Sequence, residues 1–395
     1  MSAALLRSDA TALAAVATLL GPDPAAGLDG ADGPDRPAPA ERAYAVLPRR
    51  SRPRYLVPVD GRHARGAHIR PGAGAAQAAT RLALRTALRT GIGRVLPDRL
   101  LVDDGDAHHP GLRRHLATLL DRDDIDLAIA LGAPRPNRKP VVQAIGADGG
   151  TVAWVKVGVD THTDELVAHE IDALQAVAGR DPSVVTPPLL ASGTWQGHPL
   201  LALGHIEMSE SAGELDLPPS AIRAIAGPTA DEDVVNSAWW RALEAAPDGD
   251  GAVATLLAAL RPDVAGRRWA FGRWHGDLAP WNATWEGDRL LAWDWERSHT
   301  PVPLGLDLFH NRVQVAVVRD GVGVPDALRA AAAAETETLV ALGYAADDAP
   351  LLARAYAVTL RSRYASDALH GPLGPCAPIA AGIDADPTLG REAVA

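Results

Sequence analysis

The chain has 395 residues, a formal net charge of −11 and a single cysteine, with 47% hydrophobic and 22% charged residues. This is the composition of a soluble globular protein long enough for two or three domains. Cys376 alone excludes a disulfide framework and a Cys-based zinc site and favours a reducing, cytoplasmic setting, while the acidic balance argues against nucleic acid as the main partner.

Residues 1–20 read as a short helix. The apolar run Ala10–Leu20 is too short and interrupted to span a bilayer, and it lacks the basic region and cleavage site of a secretory signal, so no transmembrane segment is expected. Residues 21–40 are rich in Pro, Gly, Asp and Ala and read as a linker. Tyr44–Leu47 and Tyr55–Val59 are candidate strands. Ala75–Thr90 reads as a helix with Arg81, Arg85 and Arg89 on one face. Three β-rich runs follow: Asp126–Leu131, Val141–Ile145 and Thr151–Val157. A helix is predicted over Asp164–Ala178 and a strand over Pro199–Leu203. The remainder is mostly helical in pattern, with one strand pair around Asn282–Trp293.

Charge is unevenly spread. Between Arg49 and Arg114 there are fourteen arginines against five aspartates, and between Ile206 and Leu260 ten acids against two arginines. The first stretch suits an anionic partner and the second a cationic one, and both are equally the pattern of solvated faces. Lysine occurs only at Lys139 and Lys156, and asparagine only at Asn137, Asn236, Asn282 and Asn311. In a chain so short of both, the survivors are enriched for positions where chemistry resists substitution.

The strongest signal is Trp274-His275-Gly276-Asp277-Leu278-Ala279-Pro280-Trp281-Asn282, followed by Leu290-Leu291-Ala292-Trp293-Asp294-Trp295-Glu296. Asp277 lies in a Gly/Pro-punctuated loop, with Asn282 five residues on and Asp294 at the end of an apolar run. A carboxylate, an amide oxygen and a second carboxylate are hard ligands suited to Mg²⁺, which is usually shared with substrate phosphates. A bound nucleotide is therefore expected.

This HGD-x4-N segment and the W-D-W-E segment after it resemble the motifs of the aminoglycoside phosphotransferase and choline kinase-like family, which has the protein-kinase fold. The resemblance implies Asp277 as catalytic base, Asn282 and Asp294 as magnesium ligands, and His275 as a loop-organising residue. It also implies Asp307, in Gly305-Leu306-Asp307-Leu308, as a structural support. Upstream, the family needs a strand lysine and a helix glutamate. Lys156 in Ala153–Val157 fits the first, and Glu170, fourteen residues on, fits the second, with Glu165 as the competing candidate. Backbone near Gly204 and Ile206 is expected at the adenine edge. Glu296 reads equally as a third acid near the metals or as a partner for Arg297.

Several features stand outside the resemblance. No glycine-rich loop joins the first two strands. Residues 132–140 occupy that position, with Arg138 or Lys139 as candidates to cover phosphates. No G-x4-G-K-[ST] sequence is present, which excludes a P-loop kinase. The tryptophans from Trp269 to Trp295 read as core packing rather than a stacking platform. Trp239-Trp240 reads as a substrate wall or an amphipathic contact, Arg361 and Arg363 as surface charge, and Cys376 as no nucleophile.

The expected architecture is α+β and bilobal, protein-kinase-like, with an antiparallel-sheet N-terminal lobe and a larger, mostly helical C-terminal lobe. The divisions are an extension over 1–40, a nucleotide lobe over 41–205 with an Arg-rich insertion at about 49–120, and a catalytic and substrate lobe over 206–395. The expected function is ATP- and Mg²⁺-dependent phosphoryl transfer to a hydroxyl of a small molecule of sugar, aminoglycoside or amino-alcohol type. The alternatives are a kinase-fold nucleotide-binding protein without catalysis, or a kinase acting on a glycan intermediate or protein.

Overall fold

A computed structural model describes residues 8–9, 11–22, 41–59, 67, 98–206, 215–386 and 389. The predicted helix over 75–90, with Arg81, Arg85 and Arg89, lies outside the described residues. The chain divides into two compact units, one of Met1–Ile171 with Pro188–His205, the other of Asp172–Pro187 with Ile206–Ala395.

The first unit opens with α1 (Ala12–Leu20) and then β1 (Glu41–Arg49), β2 (Arg52–Pro58), β3 (Arg99–Asp103) and α2 (Leu112–Leu119). Strands β4 (Ile125–Ala130), β5 (Val141–Gly146) and β6 (Thr151–Val157) follow, then helix α3 (Thr161–Val177). After β7 (Val184–Val185), which belongs to the second unit, come β8 (Leu189–Trp195) and β9 (His198–Leu203). The sheet runs β3-β1-β2-β4-β5-β6-β9-β8, and every neighbouring pair is antiparallel.

The central strands are nearly continuous apolar runs, as a sheet covered on both faces requires. One face forms a core through Leu127, Ile129, Val142, Val155 and Leu200. In α1, Ala12, Ala15, Val16 and Leu19 recur at helical spacing and are fully buried in this core. The Trp195 indole N–H caps the helix end by donating to the Leu19 carbonyl at 2.7 Å. Residues 12–20 therefore sit in the core of the sheet unit, as part of it. Arg113 of α2 forks onto buried Asp104 at 2.6–3.0 Å and donates to the Ile125 carbonyl of β4 at 3.3 Å, which ties α2 to the sheet.

In the second unit, α4 (Pro219–Ala226), β10 (Ala230–Asp233), α5 (Ala238–Ala245), α6 (Ala252–Val264) and β11 (Arg268–Trp274) precede the motif loop. Then come β12 (Ala283–Glu286), β13 (Arg289–Ala292), β14 (His299–Pro303), α7 (Leu306–Gln314), α8 (Val324–Leu342), α9 (Ala349–Ala368) and α10 (Ala377–Asp384). The expected hairpin is present as β12–β13. The unit holds more strands than the one expected pair: β13 also pairs in parallel with β7, and a further three-stranded sheet runs β10-β11-β14. β10 reads Ala-Asp-Glu-Asp, a sequence of low strand propensity that pairing with β11 overrides. Trp239 and Trp240 are core residues with partners: Trp239 donates to Thr359 Oγ1 at 3.1 Å and Trp240 to Glu244 at 2.9 Å. No helix among the described residues is long and apolar enough to cross a membrane.

Candidate functional site

In the first unit the chemistry centres on Lys156. It lies on β6, on the face opposite the core residues Ala153, Val155 and Val157, and is nonetheless buried. Helix α3 starts with Asp160, whose carboxylate accepts from the Thr163 N–H at 2.7 Å and caps the first turn. Glu170, completely buried on this helix, meets the ammonium with both oxygens at 2.6 and 2.7 Å. Glu165 does not make this pair. A buried ammonium bonded to both carboxylate oxygens is fixed in place.

The hinge residues are more constrained than the sequence suggested. Gly204 donates its N–H to the Pro188 carbonyl at 2.8 Å, so that donor is committed within the unit. A side chain there would meet the Pro188 ring at 2.5 Å, which explains the glycine. His205 Nδ1 accepts from the Trp154 indole at 3.2 Å, and Ile206 opens the second unit. Arg138 is 2% exposed and is bound to Asp9 at 3.1 Å and to the Leu131 carbonyl at 2.9 Å. Its guanidinium is thus built into the fold, not held ready for phosphates, which corrects that expectation.

In the second unit the motif loop leaves β11 after Trp274 and re-enters β12 at Ala283. Asp307, in the first turn of α7, anchors it: its two oxygens accept the N–H groups of His275 and Gly276 at 2.8 and 3.0 Å. Burial pushes this carboxyl up to about 6 even against those two donors. Gly276 has φ +82°, and a Cβ there would lie 2.1 Å from the Arg297 carbonyl, so only glycine fits. Arg363 of α9 donates to the Gly276 carbonyl at 2.7 Å and braces the loop from the other side.

His275 is fully buried and tilted against the Trp295 ring, 4.4 Å between centroids. Its Nδ1 accepts the Asp277 N–H at 3.2 Å, and its Nε2 lies 3.1 Å from the Trp293 carbonyl. That pattern needs the neutral Nε2–H tautomer. Burial pulls the ring down to about 4 from 6.5, so it is neutral at physiological pH. The unfolded chain would take up the proton first. The neutral ring therefore stabilises the fold fully above pH 6.5, and that contribution, about 3 kcal/mol, is lost as pH falls towards 4. Denaturant titrations from pH 7 to 4 should show an acid loss that His275→Gln reduces; parallel losses in both proteins would contradict this role.

Asp277 stands at the centre of the loop, its side chain about a third exposed (36%). Asn282 Nδ2 donates to the Asp277 Oδ2 at 2.7 Å and to its main-chain carbonyl at 2.9 Å. His310 lies 3.1 Å from the other oxygen, Oδ1. Burial opposes ionisation of Asp277, but the hydrogen bond from His310, with the Arg363 guanidinium nearby, outweighs it and holds the carboxyl below its ordinary value.

Asn282 and Asp294 are brought together by the hairpin. The Asn282 carbonyl accepts the Trp293 N–H at 2.9 Å, one residue before Asp294. Asp294 adopts φ +70°, a left-handed conformation that aspartate tolerates better than most residues and that points to a positional demand. Glu296, two residues on, is 6% exposed. Arg297 forks onto Asp367 at 2.9 and 3.0 Å, and the Glu296 charge acts on it as well, so the reading of Glu296 as a partner for Arg297 stands beside that of a third acid near Asp294. The donor set fits a hard divalent cation. The Asn282 amide is oriented by giving both of its bonds to Asp277, which turns its oxygen to the remaining direction, and a carboxylate follows on the adjoining strand end.

Three residues of the site escaped the sequence reading. His310 follows Asp307 by three residues, so both lie on one face of α7, a signal that was available. Tyr356 and Arg363 come from α9, and their approach to the loop is a tertiary fact. Of the tryptophans in this region, Trp269, Trp274 and Trp295 are core, while Trp281, beside Asn282, is 40% exposed.

No protein-family model and no curated protein matches the chain. Among solved structures it is similar to a thermostable mutant of aminoglycoside phosphotransferase APH(4)-Ia in ternary complex with ADP and hygromycin B, at 12% identity over 72% of this chain and 99% of that one, TM-score 0.45. It is also similar to the amicoumacin kinase hAmiN in complex with AMP-PNP, Ca²⁺ and Ami, at 10% identity over 68% of this chain and 89% of that one, TM-score 0.41. A third similar structure, assigned as a fructosamine-3-kinase from Thermobifida fusca, is 20% identical over 65% of this chain and 98% of that one, TM-score 0.34. An aminoglycoside phosphotransferase, the family whose motifs the sequence resembles, is among these structures.

Proposed function

We propose that this protein is an ATP-dependent phosphotransferase that moves the γ-phosphoryl group to a hydroxyl of a small molecule of sugar, aminoglycoside or amino-alcohol type. The observation that carries the reading is Asp277: an ionised, partly exposed carboxylate with each oxygen held by a donor, on a loop anchored at both ends. Such a group can orient an acceptor hydroxyl and take its proton. In the transfer, the acceptor oxygen forms a bond to the γ-phosphorus, the bond from phosphorus to the ADP oxygen breaks, and the hydroxyl proton passes to Asp277.

Geometry within each unit supports the other roles. Lys156, fixed by Glu170, supplies a localised positive charge for the donor phosphates. Asn282 and Asp294 would hold Mg²⁺, whose charge would offset that developing on the transferred group. Glu296 adds a further acidic side chain next to Asp294. His275 and Asp307 shape the loop. Most of the rate in such a transfer comes from positioning and electrostatics, which is what this set of residues supplies.

The test is magnesium-dependent ATP consumption across a panel of sugars, amino alcohols and aminoglycosides. The reading expects at least one acceptor to raise consumption well above the acceptor-free rate, and EDTA to abolish the increase. Tight nucleotide binding with no acceptor-stimulated consumption over the panel would favour a nucleotide-binding protein without catalysis.

A further inference from the structure

An aspartate held by one hydrogen bond is still free to rotate about its last torsion, which has a broad, shallow minimum. Asn282 fixes Oδ2 of Asp277 at 2.7 Å. The second fixed point is His310 on α7, 1% exposed, with Nε2 3.1 Å from Oδ1. On the other side of the same ring, the Tyr356 hydroxyl of α9 lies 3.3 Å from Nδ1, and this tyrosine is fully buried. The Trp274 and Tyr356 rings meet the imidazole edge-on, at centroid distances of 6.4 and 5.9 Å.

These contacts admit one assignment of protons. An ionised carboxylate only accepts, so Nε2 must carry the hydrogen facing Asp277. In the neutral ring Nδ1 is then an acceptor, and the Tyr356 O–H is the donor that fills it. Were the hydrogen on Nδ1, two lone pairs would oppose each other at 3.1 Å. Burial disfavours the doubly protonated ring, so the ring is neutral.

We propose that His310 is the positioning residue for Asp277: its Nε2–H, in a tautomer set by the Tyr356 hydroxyl, locks the carboxylate in the orientation an acceptor hydroxyl must meet. The inference rests on the phosphotransferase reading for its effect on rate, and on geometry alone for its tautomer. Tyr356, His310 and Asp277 form a directed chain in which each donor faces one acceptor. Its output is an aligned carboxylate, not a proton relay to bulk water.

The experiment uses the full-length protein with three variants. His310→Leu removes the donor at similar size, His310→Gln keeps an N–H near the Nε2 position, and Tyr356→Phe removes only the hydroxyl. A misplaced reacting group typically costs about tenfold to a hundredfold. His310→Leu is expected to lower kcat by about that factor, with the acceptor KM and nucleotide affinity within about twofold of the parent. His310→Gln should recover most of the loss, and Tyr356→Phe should show a smaller loss that persists at full nucleotide saturation. An unchanged kcat in His310→Leu, or equal losses in His310→Gln and His310→Leu, would overturn the proposal.

A second readout needs no turnover. In ¹⁵N-histidine-labelled protein, His310 should show a protonated Nε2 and an unprotonated, acceptor-type Nδ1, and Asp277→Ala should move the Nε2 signal. A protonated Nδ1 would overturn the proposal. A parent protein that transfers no phosphate to any acceptor counts against the phosphotransferase reading; the inference about His310 is then decided by these signals alone.

Discussion

Asp277→Ala is expected to lower phosphoryl transfer by at least about a thousandfold while leaving nucleotide affinity within about twofold. The size follows from what the carboxylate does. It is the partly exposed acid on which two buried donors converge, whereas Asp307 and Arg363 bind the loop's backbone. Removing it takes away the acceptor for the hydroxyl proton. It removes no interaction from the Lys156–Glu170 pair, which lies in the other unit. Steady-state ATP consumption with a productive acceptor and a nucleotide titration of the same preparation measure the two quantities. Turnover within tenfold of the parent would remove Asp277 from the reaction.

The Lys156–Glu170 pair carries the second large effect, and its variants separate structure from function. Glu170 has no exposed surface and Lys156 only 8%. Removing one partner leaves a buried charge uncompensated, so Glu170→Ala should destabilise the first unit by about 3–5 kcal/mol. Replacing both with apolar groups of similar size, Lys156→Met with Glu170→Leu, removes both charges and should recover most of that loss. Nucleotide affinity should fall in both proteins: the double variant removes the cation that meets the phosphates, and Glu170→Ala removes the carboxylate that fixes it. Denaturant unfolding and nucleotide titration report the two properties independently. A double variant that is stable and still binds nucleotide as tightly as the parent would show that Lys156 serves the fold alone.

Much of the first unit was legible because its strands are short apolar runs bounded by turns. Val141–Ile145 and Thr151–Val157 were read almost to the residue, as β5 and β6. The motif residues were legible because their spacing is local: Asn282 reaches back five residues to Asp277 within one loop. What failed depended on long-range pairing. β10 is acidic and becomes a strand only because β11 pairs with it. Helix α1 read as an isolated segment, yet its apolar stripe fills a core completed by strands far along the chain. Arg363 read as surface charge because no periodicity reveals that α9 passes beneath Gly276. Arg138 looked available for phosphate because its partner, Asp9, precedes it by more than a hundred residues.

The most direct measurement of the central claim is the fate of the γ-phosphate. The protein is incubated with Mg-ATP and the acceptor panel, and the products are followed by ³¹P NMR. The account predicts a new phosphomonoester resonance on at least one acceptor, formed in step with ADP and absent with Asp277→Ala. ADP appearing only with free inorganic phosphate, or ATP remaining intact beside every acceptor, would contradict it.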